Sequence, residues 1–161
     1  METEKDHMEL GDLIRPGAVI PTFAARSKKQ VLQELAGHAA ALTQLGARDV
    51  FETLLQRERL GSTAVGRGIA IPHGQVAGLE RIVGVFARLQ PPIDFEAPDE
   101  EPVDLVFLLL APEHAGADHL KALARVSRLV RAPHVSERLR AAHDGAAIYA
   151  ILTEPTAVEA V

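Results

Sequence analysis

The strongest chemical signal in the chain is a histidine set between a proline and a glycine. It closes the stretch Gly61-Ser62-Thr63-Ala64-Val65-Gly66-Arg67-Gly68-Ile69-Ala70-Ile71-Pro72-His73-Gly74, which holds four of the chain's twelve glycines. A neutral imidazole has one nitrogen lone pair free to attack phosphorus, while the other nitrogen can be fixed as a donor by a hydrogen bond. Phosphorus in transit spreads charge over its equatorial oxygens, and backbone N–H groups, an arginine and a second histidine would stabilise that charge. Arg57, the backbone of Gly61, Ser62 and Thr63, and His119 are the candidates for those roles. No acidic pair accompanies them as a magnesium site, which suits transfer between two histidines rather than from a nucleotide.

The same residues can also serve purely structural ends. A histidine after a strand can be an ordinary loop residue, and Arg57 and Arg59 can serve as cations at the negative end of a helix. His119 can be a first-turn histidine with a structural hydrogen bond. Other chemistries fit less well. A nucleotide P-loop needs Lys and then Ser or Thr after its second Gly, whereas here Gly66 is followed by Arg67 and Gly68, and no G-x-G-x-x-G occurs. A metal site would have to draw on His73, His114 and His119. The last two are five residues apart, on different faces of any helix, and no carboxylate completes the set. Neither a metal nor a cofactor is expected.

The elements that must position these groups are legible from periodicity. Ala18-Val19-Ile20 reads as a brief strand. Ser27 is a good N-cap for a helix over residues 28–45, whose apolar stripe includes Val31, Leu35, Leu42 and Leu45 and whose stop signal is Gly46. His38 is read as a packed or boundary residue of that stripe. A second helix fits Asp49 to Arg59 and delivers Arg57 to the glycine stretch. Ile69-Ala70-Ile71 is apolar and β-prone, a buried strand that Pro72 should end. Residues 82–89 read as a strand followed by a turn at Pro91-Pro92, then a short extended piece at 93–95 and a solvated acidic loop over 96–102. Val103 to Leu110 is apolar enough to be a central strand covered on both faces. A third helix over 118–131 puts His119, Leu123, Val126 and Val130 on one face, with His119 at the positive end of the helix dipole. Two more helices follow, at 133–143 and 146–152. His134 and His143 sit among charges and carry no expected role.

Strands interleaved with helices give an α/β fold in a single domain. Residues 1–9 read as a flexible N-terminus, 10–152 as the domain and 153–161 as a loose tail. The chain of 161 residues has no cysteine, a formal net charge of −5, a charged start and no apolar run long enough to span a bilayer. Nucleic-acid binding, membrane insertion and secretion are therefore not expected, and a cytoplasmic location is.

The residues Arg57-Glu58-x-x-Gly61-Ser62-Thr63, followed by Gly66-x-Gly68-x-Ala70-Ile71-Pro72-His73-Gly74, resemble the enzyme IIA domain of the mannitol/fructose class in the bacterial phosphotransferase system. The strand Pro102-Val103-Asp104-Leu105-Val106-Phe107 and the helix start His119-Leu120-x-x-Leu123 match in the same order. The free-standing length is most similar to the nitrogen-regulatory branch of that class. The resemblance implies a five-stranded, mostly parallel mixed sheet between helices, and His73 as phosphoryl acceptor loaded by an HPr-like phosphohistidine carrier. It also implies that His119 hydrogen-bonds at the site and that Arg57 assists. Downstream regulatory proteins or a IIB domain would receive the output. Two departures from the family pattern are Ala64, where Gly is common, and Gln75, where Lys is frequent.

Overall fold

The computed structural model describes residues 10–154, so the expected N-terminal flexible segment and nearly all of the expected tail lie outside the described residues. Two 3-10 turns at Leu10–Asp12 and Pro16–Ala18 lead into strand β1 (Val19–Phe23). Helices α1 (Lys28–Thr43) and α2 (Ala47–Arg59) follow, then strands β2 (Ala64–Gly66), β3 (Ile69–Ala70) and β4 (His73–Val76). Two long strands, β5 (Val83–Ile93) and β6 (Val103–Pro112), precede helices α3 (Gly116–Arg131), α4 (Pro133–Ala141) and α5 (Gly145–Thr153).

The strands form one sheet in the order β1-β5-β6-β3-β2, with β4 also paired to β6. The pairings β1–β5, β3–β6 and β4–β6 are parallel, and β2–β3 and β5–β6 are antiparallel. The sheet is thus mixed and mostly parallel, as expected, but it has six strands rather than five. The additional pairing comes from the glycine stretch. Arg67 and Gly68 both have positive φ (60° and 80°), which a two-residue I′ hairpin turn requires, and they fold β2 back on β3.

β6 is the centre of the sheet. Every residue of it except Asp104 is buried, so both alternating sets of side chains are covered by packed layers. α1 and α2 pack on each other, α1 also on β5 and α2 on β4, while α3 packs on β6 and α4, and α5 on β1 and α4. Buried apolar surface of this kind supplies the main favourable term of folding.

Several boundaries differ from the periodicity reading. The Ser27 side chain does cap α1, accepting from the Gln30 N–H at 3.1 Å. The helix nonetheless stops at Thr43, where Gln44 takes the left-handed conformation (φ 66°), and Gly46 instead stands before the first turn of α2. His38 is exposed, because the buried stripe runs through Val31, Leu32, Leu35, Ala36 and Ala39. Pro91 and Pro92 do not make a turn. β5 continues past them to pair Ile93 with Val103 across a register shift, and the two exposed prolines occupy its unpaired segment.

The packing of α2 on β4 depends on Gly74. A Cβ there would lie 2.7 Å from Cγ2 of Thr53 on α2. Gly74→Ala should therefore destabilise the fold by about 1–3 kcal/mol. In the pair Gly74→Ala/Thr53→Ala the clash is removed, so urea unfolding should recover part of the loss. Equal losses in single and double variants would show that this contact does not limit the packing.

Candidate functional site

β3 ends before Pro72, as expected from sequence, but the pairing to β6 resumes just beyond it. β3 pairs Ile69 and Ala70 with Leu105 and Val106 of β6, and β4 resumes the same parallel pairing at His73 with Leu109. Across the break the Leu109 N–H donates to the Pro72 carbonyl at 2.9 Å. Lacking an N–H of its own, Pro72 costs the ladder nothing there. His73 thus sits on a rigid strand beside the most buried element of the fold.

The half-buried ring of His73 has its Nδ1 2.8 Å from the Ile71 carbonyl oxygen. A carbonyl only accepts, so Nδ1 carries the proton in the neutral ring and Nε2 keeps its lone pair. His119 lies in the first turn of α3, buried at 7% exposure, with its ring centroid 5.7 Å from that of His73 at an edge-on angle of 70°. Its Nε2 is buried and has no hydrogen-bond partner. An unsatisfied buried nitrogen is costly, and it marks a place where a ligand atom would be welcome.

Burial lowers the pKa of both histidines. At His73 the Arg57 charge adds to the lowering, while the Ile71 hydrogen bond and the Glu58 charge oppose it. At His119 the His73 ring adds to it. Both imidazoles are consequently biased toward neutrality at pH 7.

Arg57 is half-buried at the end of α2, and its Nη1 donates to the Gly61 carbonyl at 2.9 Å. The loop residues are differently engaged from the sequence expectation. The Thr63 N–H and hydroxyl donate to the two carboxylate oxygens of Glu58 at 2.8 and 2.6 Å, and the Gly61 N–H donates to the Glu58 backbone carbonyl at 3.2 Å. The Ser62 hydroxyl donates to the Phe95 carbonyl at 2.6 Å. These groups hold the loop, and the amides of Gly61 and Thr63 are already hydrogen-bonded within the chain.

Glu58 is the residue that motif spacing left without a role. At 6% exposure its carboxylate gathers Thr63 and the Lys28 ammonium at 3.2 Å. The Thr63 carbonyl in turn accepts from the Ile71 N–H at 3.0 Å, and the Ile71 carbonyl accepts from His73. A buried glutamate thus reaches the imidazole through the backbones of two residues, Thr63 and Ile71. A signal for it existed in the sequence: an acid directly after Arg57 at the end of a helix, where the dipole disfavours negative charge.

His114 is exposed, and no group of three or more His, Cys, Asp or Glu residues among the described residues could hold a metal ion. Among the described residues no helix is long and apolar enough to cross a membrane.

The two lowered pKa values have a consequence for stability. Unfolding returns each histidine to the ordinary value near 6.5, so below about pH 6.5 the unfolded chain binds more protons than the folded one. Stability should fall as pH drops from 7.5 to 5.5 and be indifferent to these groups above about pH 7.5. Urea midpoints of wild type and His73→Ala/His119→Ala check this: the variant should show the shallower acid loss, and identical slopes would contradict the burial effect.

Residues 12–154 match the family described as phosphoenolpyruvate-dependent sugar phosphotransferase system, EIIA 2. The nitrogen regulatory protein of Bradyrhizobium diazoefficiens is 60% identical over 153 residues, covering 95% of this chain and 100% of that one. The crystal structure of nitrogen regulatory protein IIA-Ntr from Neisseria meningitidis superposes with a TM-score of 0.85 at 36% identity, over 89% of this chain and 99% of that one. The fold is also shared by the mannitol IIA of Escherichia coli, solved as a complex with phosphorylated IIB, at a TM-score of 0.75 and 18% identity over 89% of this chain and 100% of that one. The chain belongs to the type-2 EIIA family of the phosphotransferase system, with its high-identity relatives among the nitrogen regulatory proteins.

Proposed function

We propose that His73 is the phosphoryl acceptor of a phosphocarrier whose output is regulatory. The observation that carries this reading is the pairing of a free Nε2 lone pair on His73 with a buried, unpartnered Nε2 on His119 beside it. The Nε2 lone pair forms the new N–P bond as the P–N bond of a phosphohistidine donor breaks, its electron pair returning to the donor ring. Protonated at Nε2, His119 donates to a phosphoryl oxygen and gains the partner it otherwise lacks. Arg57 exchanges its bond to the Gly61 carbonyl for a charge-assisted one to the phosphoryl group. The donor is a phosphohistidine protein of the HPr type, met in the cytoplasm, and Gln75, exposed on β4, leaves the rim without the positive charge that a lysine would supply.

A phosphoryl group adds about −1.5 to −2 charges to this surface, enough to recruit or repel a protein partner. The names of the relatives support a nitrogen-regulatory output. A second reading, onward transfer to the cysteine of a IIB domain, is favoured by the fold shared with the mannitol IIA seen in complex with phosphorylated IIB.

Incubation with a phosphorylated HPr-type carrier should place an acid-labile label on wild type and none on His73→Ala. His119→Ala and Arg57→Gln should accept it about 10²–10³-fold more slowly while keeping the wild-type circular dichroism. Acceptance should fall as pH drops below the lowered pKa of His73. No label on wild type, or a rate constant unchanged from about pH 8 to pH 5, would reject the neutral-imidazole acceptor. Rapid loss of label to a sugar-class IIB domain would favour transport over signalling.

A further inference from the structure

We infer that the cleft between the β2–β3 hairpin and the last turns of α3 is a second anion site, built for a small molecule carrying two or more phosphates. The cleft has a volume of about 540 Å³ and is lined by Val65, Arg67, Ala124, Ser127, Arg128 and Arg131, among others. That volume lies within the range of small-molecule sites. None of the groups around His73 lines it.

Three arginines from two separate elements line it. Arg128 and Arg131 lie in the last turn of α3, where the helix dipole favours cations, and that effect alone would account for them. It does not account for Arg67, which belongs to the hairpin turn and stands in the left-handed conformation at φ 60°. For a residue with a Cβ that conformation is uncommon and has to be held in place. Here it is held from both sides: the Arg67 N–H donates to Asp99 Oδ2 at 2.8 Å, and its carbonyl accepts from Arg140 Nη2 at 2.7 Å. The turn is clamped while its side chain is left exposed toward α3.

Side-chain ion pairing is absent at these three arginines. No carboxylate among the described residues pairs with Arg67, Arg128 or Arg131. The nearby acids are engaged elsewhere. The Asp99 carboxylate accepts from the backbone N–H groups of Arg67 and Glu101, and Asp104 is held bidentately by Arg140. In a chain of net charge −5, three unpaired arginines converging on one cleft are a local excess of positive charge. Planar guanidinium forks match phosphate oxygens, and the Ser127 side chain adds a hydroxyl donor. Val65, Ala124 and Ala132 give the cleft an apolar wall for an organic moiety.

The cleft is separate from the His73 site. Gly68 meets Asp104 on β6 whereas His73 meets Leu109, five residues further along, a separation of about 16 Å. α3 spans the two places, with His119 in its first turn and Arg131 in its last.

The test uses the full-length, isotope-labelled chain, titrated with sodium pyrophosphate, ATP and, at matched ionic strength, sodium sulfate. Pyrophosphate or ATP should bind saturably at one equivalent, shifting resonances of residues 65–67 and 124–132. Arg67→Gln and Arg128→Gln should each weaken that binding about tenfold while leaving the thermal midpoint in place. Preference for ATP over pyrophosphate would assign a nucleotide-like organic moiety, and equal affinity would assign the phosphates alone. No saturation by about 10 mM, an equal response to sulfate, shifts centred on His73 and His119, or indifference to both variants would overturn the proposal. So would tighter binding of a decaglutamate peptide than of either phosphate probe, which would make the cleft a protein-docking site.

Discussion

The hydrogen bond from His73 Nδ1 to the Ile71 carbonyl is the constraint on which the site depends. It fixes the tautomer, and with it the nitrogen that stays free. It is available because the β-ladder is interrupted at Ile71 and Pro72, which leaves the Ile71 carbonyl to accept from a side chain two residues on. The flanking pairings to β6 keep that break rigid. A histidine on a loose loop would sample both tautomers and many orientations, and its nucleophilic nitrogen would be undefined.

Burial sets the second condition. Charging both of two imidazoles set edge to face is disfavoured, and desolvation drives both toward the neutral form. Arg57 and Glu58 act on His73 with opposite sign, so the ring sits between a cation that favours nucleophilicity and an anion that would stabilise its proton. Glu58 has the further task of gripping Thr63, and through Thr63 and Ile71 it reaches the nucleophile's own hydrogen bond. Replacing that carboxylate would disturb geometry and charge together.

Much of this was legible in the sequence because periodicity and residue type agree there. The stripes of α1, α2 and α3 and the unbroken apolar run of β6 all point one way, and they place His119 and Arg57 on elements that end near His73. What was not legible depended on long-range pairing. β4 begins directly after a proline, where local rules say a strand should stop, and it exists because β6 offers a parallel partner on the far side of the break. β2 is a three-residue strand inside a glycine-rich stretch, and its pairing follows from the I′ turn rather than from propensity. Pro91 and Pro92 read as a turn but sit in an unpaired segment of β5. Thr63 is expected from sequence to offer its backbone N–H to phosphate; in the fold that N–H and the hydroxyl both donate to Glu58, a contact that only the tertiary structure can make.

The most direct test of the central claim is nitrogen-15 NMR of the His73 ring, before and after phosphorylation. At pH 8 the ring should be neutral with the proton on Nδ1 and, after transfer, phosphorus should couple to Nε2. A proton found on Nε2, or a phosphoryl group found on Nδ1, would contradict it.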